Sequence, residues 1–425
     1  MFRQRLTLLL LCITALYSVK CHATTLQVNS THTLQAALKS THPGDTIILN
    51  QGLYEGNFRI NRSITLRCQP GAILDGQGSG DTLRLSAPNI TITGCRIIHW
   101  GDDLTAMNAG VYLDKAAANA RIENNALYGN VFGILMMSAP SPTLRNNKIQ
   151  GNEAVRSQDR GNGIHLSNVS GANIIGNEVW HTRDGIYIEN SHNNTLQGNT
   201  LHHLRYGIHY MYAYHNTITH NKTHHTRTGY AFMQSKYLTI THNQSEHDEN
   251  YGILLNYITH STIAHNTAKN SHQMIGAGGF SFVKGAEGKA LFIYNSLYNT
   301  ITDNHLMDSD IGIHLTAGAE DNTIVGNRFI RNKQQVKYVA NRTQEWSQDG
   351  KGNYWSDYMG WDRDSDGIGD IAYEPNDGVD KMLWKYPSAR YLMNSPAIAS
   401  LRWIQKEFPV LKSVGVKDSY PMMKP

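Results

Sequence analysis

Short runs of alternating apolar and polar residues recur at a fixed interval along most of the chain. The interval is marked by an asparagine that closes a strand-like triplet, at Asn125, Asn147, Asn177, Asn199, Asn221, Asn243, Asn266, Asn304 and Asn327. These positions are 22, 30, 22, 22, 22, 23, 38 and 23 residues apart, and the two long intervals contain insertions at 153–160 and 271–289. A fixed period of this length indicates a solenoid, in which each repeat buries its apolar face against its neighbours.

A glycine marks a second position in most repeats. The glycines are Gly133, Gly163, Gly185, Gly207, Gly229, Gly252 and Gly312. The first and third residues after each glycine are mostly isoleucine, leucine or aromatic, and we expect them to point inward because side chains alternate along a strand. Short β-branched strands separated by Gly and Asn turns predict an all-β, right-handed parallel β-helix with about 22 residues per coil. We expect the asparagines to stack at the turns, in the left-handed conformation and bonded to their own backbone.

The pattern divides the chain into three segments. Residues 1–23 have a basic start, an apolar stretch and a small residue at position 23, which predicts a cleavable secretory signal. Residues 24–338 form the predicted β-helix, with a capping helix at 33–39 and a first strand at 44–49. Residues 339–425 lack the repeat and contain a carboxylate loop, a predicted docking helix and a methionine-containing tail.

Charge and cysteine content narrow the function classes. Removing Arg3, Arg5 and Lys20 with the signal lowers the Lys+Arg count from 38 to 35, against 34 Asp+Glu. A nearly neutral protein lacks the electrostatic footprint of a nucleic-acid binder. Cys68 and Cys95 remain after export, and the sequence leaves open whether they form a disulfide or stay as buried thiols.

The second and fourth residues after each glycine are predicted to face outward, towards solvent. In two successive repeats they include His209, Met211 and Met233. The two methionines lie on adjacent coils, roughly 5 Å apart. Thioether and imidazole ligands favour Cu(I), so these three residues form a candidate copper site. The alternative is a methionine and aromatic patch that docks another protein or is covered by a loop.

Histidines also recur with the repeat. One column is His181, His203, His225 and His247, and a second is His220, His242 and His265. Stacked imidazoles bind metals or respond to pH near their ordinary pKa. The alternative, which we favour, is that they are solvated polar residues on a duplicated repeat.

Carboxylates are closely spaced near the end of the chain, at Asp362, Asp364, Asp366 and Asp370, with Gly367 among them. Hard oxygen ligands at this spacing suit Ca²⁺. The twelfth position of the loop is Tyr373, so the motif departs from an EF-hand. An acidic turn without a cation is the alternative.

The last 31 residues contain two further candidates. Ser395-Pro396 opens a predicted helix with Leu401 and Phe408 on its apolar side, which either caps the last coil or docks a partner. Met422 and Met423 near the end are a second possible Cu(I) contact, and a frayed terminus is the alternative.

Several phrases resemble the NosD family of nitrous-oxide reductase maturation proteins over nearly the whole mature chain. They are AMNAG at 106–110, YGIHYMY at 206–212, IGIHLTAG at 311–318, QVKY at 335–338, GNYWSD at 352–357 and the run from 395 to the tail. The repeats are shared by many β-helices, whereas the C-terminal phrases lie outside the repeat pattern and make the match specific.

The resemblance implies a periplasmic protein that is not itself an enzyme and is membrane-associated through its partners. It implies work with an ABC transporter, made of a membrane subunit and an ATPase, and with a copper chaperone of the NosL type. It further implies that the protein assists assembly of the copper–sulfur centre of nitrous-oxide reductase, and that it binds copper only transiently.

The rival hypothesis is a carbohydrate-active β-helix enzyme, such as a uronate polymer lyase or epimerase. Such chemistry needs clustered carboxylates, or a basic residue with a cation, on one outward face. Asp102-Asp103 is the one adjacent acidic pair in the early coils, and no matching pair recurs one period later.

Overall fold

The computed structural model describes residues 23–273, 287–316, 318–339, 342–376, 379–380, 386, 395–408 and 414–425. The predicted signal therefore lies outside the described residues, apart from Ala23, and so does much of the 271–289 insertion. Within the described ranges, no helix has the length and apolar character needed to cross a membrane.

Three long parallel sheets, named A, B and C, wind along the chain in succession, so that each coil adds one strand to each sheet. Sheet A has 13 strands: Thr25–Val28, Thr46–Leu49, Thr65–Cys68, Thr91–Thr93, Arg121–Glu123, Thr143–Arg145, Asn173–Ile175, Thr195–Gln197, Thr217–Thr219, Thr239–Thr241, Thr262–Ala264, Thr300–Thr302 and Thr323–Val325. Sheet B has 13 strands: Gly52–Glu55, Ala72–Asp75, Arg96–Ile98, Ala126–Gly129, Lys148–Gly151, Glu178–Trp180, Thr200–His202, Lys222–His224, Gln244–Glu246, Thr267–Lys269, His305–Met307, Arg328–Ile330 and Tyr354–Trp355. Sheet C has 12 strands: Phe58–Ile60, Leu83–Leu85, Ala109–Leu113, Phe132–Met137, Ile164–Ser167, Asp184–Glu189, Tyr206–Met211, Thr228–Met233, Tyr251–Asn256, Lys289–Tyr294, Ile311–Thr316 and Gln334–Val339. The predicted parallel β-helix is confirmed.

The inward positions behave as the alternation predicted. Ile134, Ile164, Ile186 and Ile208 pair in register along sheet C and are fully buried. Because each strand contributes one or two such side chains, the core is a continuous apolar column enclosed by the three sheets. Every coil therefore depends on its neighbours for burial.

The N-terminal end is capped by helix α1 (Thr31–Ser40), close to the predicted 33–39. A capping box begins it, with Ser30 and Thr33 each hydrogen-bonded to the other's backbone N–H, and Leu34 is buried on the first coil. The strand predicted at 44–49 is present as Thr46–Leu49, but the prediction that it is the first strand was wrong. An earlier strand, Thr25–Val28, pairs with Thr46–Leu49 and covers its edge.

The asparagine column is a buried hydrogen-bonded ladder along the stack. Asn199 Oδ1 accepts hydrogen bonds from the backbone N–H and the side-chain amide of Asn177 at 2.9 and 3.0 Å, and its own amide donates to the Ile174 carbonyl at 2.9 Å. The expected left-handed conformation belongs instead to the residue before each column asparagine, such as Asn146 or His220. The column side chains bond to the neighbouring coils, because burial between coils leaves their amides no water to bind.

The ladder continues into the non-repeat segment, to Asn353 and then Asp418. Asn327 N–H donates to Asn353 Oδ1 at 2.9 Å, and Asn353 N–H donates to Asp418 Oδ2 at 2.7 Å. The same carboxylate oxygen accepts from Trp355 Nε1 at 2.7 Å. Burial raises the pKa of Asp418. The C-terminal residues thus close the last coil, and the strands Gln344–Glu345 and Val416–Lys417 pair there.

Cys68 and Cys95 form a disulfide. Cys68 ends one strand of sheet A, and Cys95 lies two residues beyond the neighbouring strand Thr91–Thr93. The structure thereby settles the choice between disulfide and buried thiols that the sequence left open.

Candidate functional site

Sheet C carries the predicted copper ligands on its outer face. Met211 and Met233 are register partners on adjacent coils, as the repeat predicted. His209 lies two residues before Met211 on the same strand, between Tyr187 of the preceding coil and Ala231 of the next. The structure therefore brings the three side chains to one patch, hereafter the sheet C face.

The prediction that this face is open to solvent was wrong. His209 is 8% exposed, Met211 and Met233 are half-buried, and Leu135 and Ala231 on the same outward column are fully buried. Alternation identifies which face a residue occupies, but it carries no information about what covers that face. A ligand bound here lies in a partly desolvated environment.

A buried carboxylate orients His209. Asp184 is fully buried, and its Oδ2 lies 2.9 Å from His209 Nδ1. Arg205 holds the same carboxylate with two hydrogen bonds, at 2.8 and 2.6 Å. Burial by itself raises the pKa of Asp184, but the hydrogen bonds from His209 and Arg205 outweigh it and hold the pKa below its ordinary value. The carboxylate therefore stays ionised and fixes the imidazole.

The second ring nitrogen of His209 remains for a ligand. Nε2 is buried and has no hydrogen-bond partner among the described residues. A buried polar atom without a partner costs roughly 1–3 kcal/mol. Metal-binding histidines have this arrangement, with one nitrogen on a carboxylate and the other on the metal. His209 is thus oriented so that its Nε2 can coordinate a metal ion on the face that also carries the thioethers of Met211 and Met233.

The neighbouring coil extends the polar part of the face. His165 and Tyr187 continue the column of His209, with ring centroids 4.8 Å apart along each step. Glu189 accepts hydrogen bonds from Ser167 at 3.0 Å and Tyr187 at 3.1 Å, and lies 3.7 Å from His165 Nε2. The contact with His165, together with the hydrogen bonds from Ser167 and Tyr187, outweighs burial and lowers the pKa of Glu189 to about 2.

Sequence reasoning missed Asp184, His165 and Glu189 as members of the site. One signal was present for Asp184, since it precedes Gly185 at a position where the next coils carry Tyr206, Thr228 and Tyr251. An acidic residue beside such uncharged register partners indicates a specific contact. Asp184 and His209 are 25 residues apart, which is more than one period, so the repeat pattern did not place them at equivalent positions on adjacent coils.

Met422 and Met423, the second possible Cu(I) contact, do not lie near His209. The tail is ordered at the end of the stack, where Met422 N–H donates to the Asn353 carbonyl and Met423 N–H donates to the Gly367 carbonyl, at 2.9 and 3.0 Å. At least five strand spacings separate that end from His209 along the stack, or about 24 Å. The tail folds back because Asp418 anchors it to the asparagine ladder.

The carboxylate loop brings together three of its four predicted ligands. Oxygens of Asp362, Asp364 and Asp366 lie within 4.8 Å of one another. Asp370 Oδ2 accepts a hydrogen bond from Arg363 N–H at 2.8 Å, and Asp362 accepts from the N–H groups of Asp366 and Gly367. The loop is therefore preformed by its own backbone.

The predicted docking helix is α2 (Pro396–Glu407), with Ser395 as its N-cap. Ile398 packs against Val379, whereas Leu401 and Phe408 are 44% and 56% exposed. The two residues chosen from the sequence therefore lie on an exposed apolar surface rather than in an intramolecular core.

A cavity of about 450 Å³ beside the early coils bears on the rival enzyme hypothesis. Its lining is Asp75, Gln77, Gly78, His99, Trp100, Asp102 and Asn130. His99 Nδ1 lies 3.0 Å from Asp75 Oδ2. Asp103, the other member of the acidic pair, instead accepts hydrogen bonds from the N–H groups of Thr105 and Ala106. Asp102 therefore lines the cavity, whereas Asp103 stabilises a turn, so the two carboxylates of the acidic pair do not act together in the cavity.

Solved structures with this fold have diverse functions. A tailspike protein, Dettilon gp208, superimposes with a TM-score of 0.58 and 15% identity, covering 73% of this chain and 64% of its own. An exopolygalacturonase of Yersinia enterocolitica superimposes with a TM-score of 0.56 and 12% identity, covering 75% and 77%. At these identities the likeness shows the fold alone.

Two family models and two relatives indicate which family of β-helix proteins this chain belongs to. The model described as "Right handed beta helix region" matches residues 21–161, and the one described as "Periplasmic copper-binding protein (NosD)" matches residues 145–360. Two relatives, one of Stutzerimonas stutzeri and one of Pseudomonas aeruginosa, are each named "Probable ABC transporter binding protein NosD". Each is 60% identical to this chain over 88% of its length, and the matched region covers 86% of the first relative and 87% of the second. The resemblance noted in the sequence is confirmed, and the chain belongs to the NosD family.

Proposed function

We propose that this protein is a periplasmic, non-enzymatic maturation factor of nitrous-oxide reductase. It works with an ABC transporter, through the membrane subunit and its ATPase, and with a copper chaperone of the NosL type. Membership of a family described as periplasmic copper-binding supports the copper part, and the names of the relatives support the transporter part. The reductase as the beneficiary rests on the sequence resemblance.

The observation that carries the proposal is the sheet C face. His209 presents a buried, unpartnered Nε2, Asp184 fixes the ring, and Met211 and Met233 add thioethers on adjacent coils. Two thioethers and one imidazole favour Cu(I) over harder ions. Three protein ligands leave room for a donor from the chaperone or the reductase, so copper is transient cargo here.

Two further regions have supporting roles in this proposal. The carboxylate loop of Asp362, Asp364, Asp366 and Asp370 binds Ca²⁺ and stabilises the end of the stack. The exposed Leu401 of α2 and Phe408, its C-cap residue, dock the membrane subunit. Met422 and Met423 lie beside the carboxylate loop, so any copper contact that they make belongs to a separate location.

The experiment is deletion of the gene in a strain that makes nitrous-oxide reductase, with the wild-type gene restored as control. We expect the reductase to be exported but deficient in copper at its catalytic centre. Copper per purified reductase, its visible absorption and its activity are the measurements. A deletion strain with fully active reductase overturns the proposal, and so does release of unsaturated sugar ends when the purified protein is incubated with uronate polymers.

A further inference from the structure

Two pairs of adjacent histidines meet at the corner between sheets B and C. They are His202 with His203 on one coil and His224 with His225 on the next. Within each pair the two Nδ1 atoms are hydrogen-bonded to each other, at 2.8 and 3.0 Å. These four residues are hereafter the paired-histidine corner, which is distinct from the sheet C face.

The backbone explains why the two rings of each pair meet. His202 and His224 are register partners at the ends of the strands Thr200–His202 and Lys222–His224. The next residues, His203 and His225, have φ angles of +55° and +54°, in the left-handed region. This turn rotates the second side chain back towards the first, so that two imidazoles share one position instead of pointing apart.

Stacking of the coils then places one pair over the other. The rings of His202 and His224 stack with centroids 4.8 Å apart, and those of His203 and His225 stack at 5.5 Å. His203 and His225 are exposed, so their rings rotate at little cost and metal ions reach them from solvent.

The spacing within each pair matches a metal chelate. Imidazole nitrogens bind first-row ions at about 2.0–2.1 Å, so two cis ligands of a tetragonal ion are about 2.9 Å apart. The hydrogen-bonded Nδ1 atoms, at 2.8 and 3.0 Å, lie on either side of that value, so an ion that replaces the shared hydrogen finds both nitrogens at a chelating distance. All four donors are imidazoles, which suit Cu²⁺, Ni²⁺ and Zn²⁺, with Cu²⁺ the tightest in the general affinity order.

The electrostatics favour the neutral imidazoles that metals require. Burial, together with the neighbouring histidines and Lys222, lowers the pKa of His224 to about 4. The pKa values of His202 and His203 are lowered as well, chiefly by burial and by nearby histidines. A neutral imidazole carries one N–H, and the hydrogen bond within each pair places that hydrogen on one of the two Nδ1 atoms. An ion that binds both Nδ1 atoms therefore requires this hydrogen to move to Nε2 of the same ring. Glu178 lies 3.6 Å from His202 Nε2.

We propose that the paired-histidine corner binds Cu²⁺, with each pair acting as a two-nitrogen chelate. The proposal stands independently of the proposed function, because its ligands are hard-to-borderline nitrogens and do not include Met211 or Met233.

The chain supplies a matched control in its other histidine column. His220 and His242 have the same left-handed backbone, with φ of +57°, and their rings stack at 4.9 Å. The residues before them are Thr219 and Thr241, so each of these coils presents a single imidazole at that position. Stacking without pairing is thus present in the same molecule.

The test compares His203→Asn/His225→Asn with His220→Asn/His242→Asn in the purified full chain carrying Met211→Leu and Met233→Leu. Asparagine tolerates the left-handed turn, so both variants retain the fold, which circular dichroism verifies. Cu²⁺ is titrated by calorimetry, and electron paramagnetic resonance is recorded at one Cu²⁺ per protein.

We expect at least tenfold weaker Cu²⁺ binding in His203→Asn/His225→Asn, with loss of the hyperfine splitting from two nitrogens, and no change in His220→Asn/His242→Asn. Zn²⁺ should bind the parent at the same corner more weakly than Cu²⁺. Unchanged binding in the first variant, or an equal loss in both variants, overturns the proposal. Neither result depends on reductase maturation, so failure here leaves the proposed function to its own test.

Discussion

The sheet C face and the carboxylate loop are built by opposite means. His209, Met211 and Met233 come from two coils, are partly or fully covered, and depend on strand register. Asp362, Asp364 and Asp366 are every second residue of a single loop. They are mostly exposed, and hydrogen bonds within the loop hold them in position. The first offers soft ligands with a buried carboxylate behind them, and the second offers hard oxygens in water.

The difference has a functional meaning. Ligands held by register remain at fixed spacing while coils stack, so they suit a site that must discriminate a soft ion and hand it on. Ligands held by a local loop suit a structural cation, whose binding free energy adds directly to the stability of the folded state. We therefore expect damage to the sheet C face to affect copper delivery, and damage to the carboxylate loop to affect stability.

The largest expected effect is on copper delivery. Met211→Leu/Met233→Leu conserves volume, so the fold should persist while the soft ligands disappear. We expect several-fold less copper per molecule of reductase, measured on enzyme purified from cells expressing the variant. Met137→Leu is the matched control, because Met137 lies three coils before Met211 in the same register column but without a methionine register partner. Normal maturation by the double variant would show that the face is a docking surface or inert.

The second prediction concerns α2, in the same non-repeat segment as the carboxylate loop. Leu401→Asp/Phe408→Asp should weaken association with the membrane subunit about tenfold, because both side chains are exposed apolar surface. The melting temperature should change little, since surface substitutions typically cost within about 0.5 kcal/mol. Ile398→Ala is the contrast, because Ile398 is buried against Val379 and its loss should lower stability instead.

A pull-down from membranes decides this prediction. Unchanged association of Leu401→Asp/Phe408→Asp, together with a lowered melting temperature, would show that α2 is an intramolecular cap.

The third prediction tests the carboxylate loop. EGTA should lower the melting temperature by about 2–4 °C relative to saturating Ca²⁺, as expected for a ligand that binds only the folded protein. Asp364→Asn/Asp366→Asn should show no further change with EGTA. Differential scanning calorimetry provides the measurement, and an identical melting temperature with and without EGTA would exclude Ca²⁺ from the loop. Copper loading should be unaffected in either condition.

The smallest effect is the pH dependence of Glu189. Its pKa of about 2 in the folded state lies below its ordinary value of 4.5, so the carboxylate contributes stability above pH 4.5 and loses it as pH falls towards 2. Glu189→Gln should therefore have a free energy of unfolding at pH 7 that is lower than that of the wild type. The difference should be less than about 1 kcal/mol, because Glu189 is partly exposed. The gap should shrink at pH 3. A gap that widens on acidification would contradict the assignment of the His165 contact.

Periodicity alone determined a large part of this protein. The 22-residue interval and the alternation after each glycine predicted the parallel β-helix, the buried isoleucines and the register of Met211 with Met233. These properties follow because residues one period apart occupy equivalent positions on adjacent coils, so sequence spacing converts directly into distance. The non-repeat C-terminal phrases identified the family for a different reason, since a solenoid does not require them.

The tertiary structure decided the contacts between residues that do not occupy equivalent positions on adjacent coils. Asp184 behind His209, the covering of the sheet C face, the disulfide, and Asp418 closing the asparagine ladder all join residues whose separation is not one repeat. The fold-back of Met422 and Met423 belongs to the same class. Burial and hydrogen bonding across unequal positions depend on where each coil turns and on what packs over it, and a one-dimensional pattern of polar and apolar residues does not carry that information.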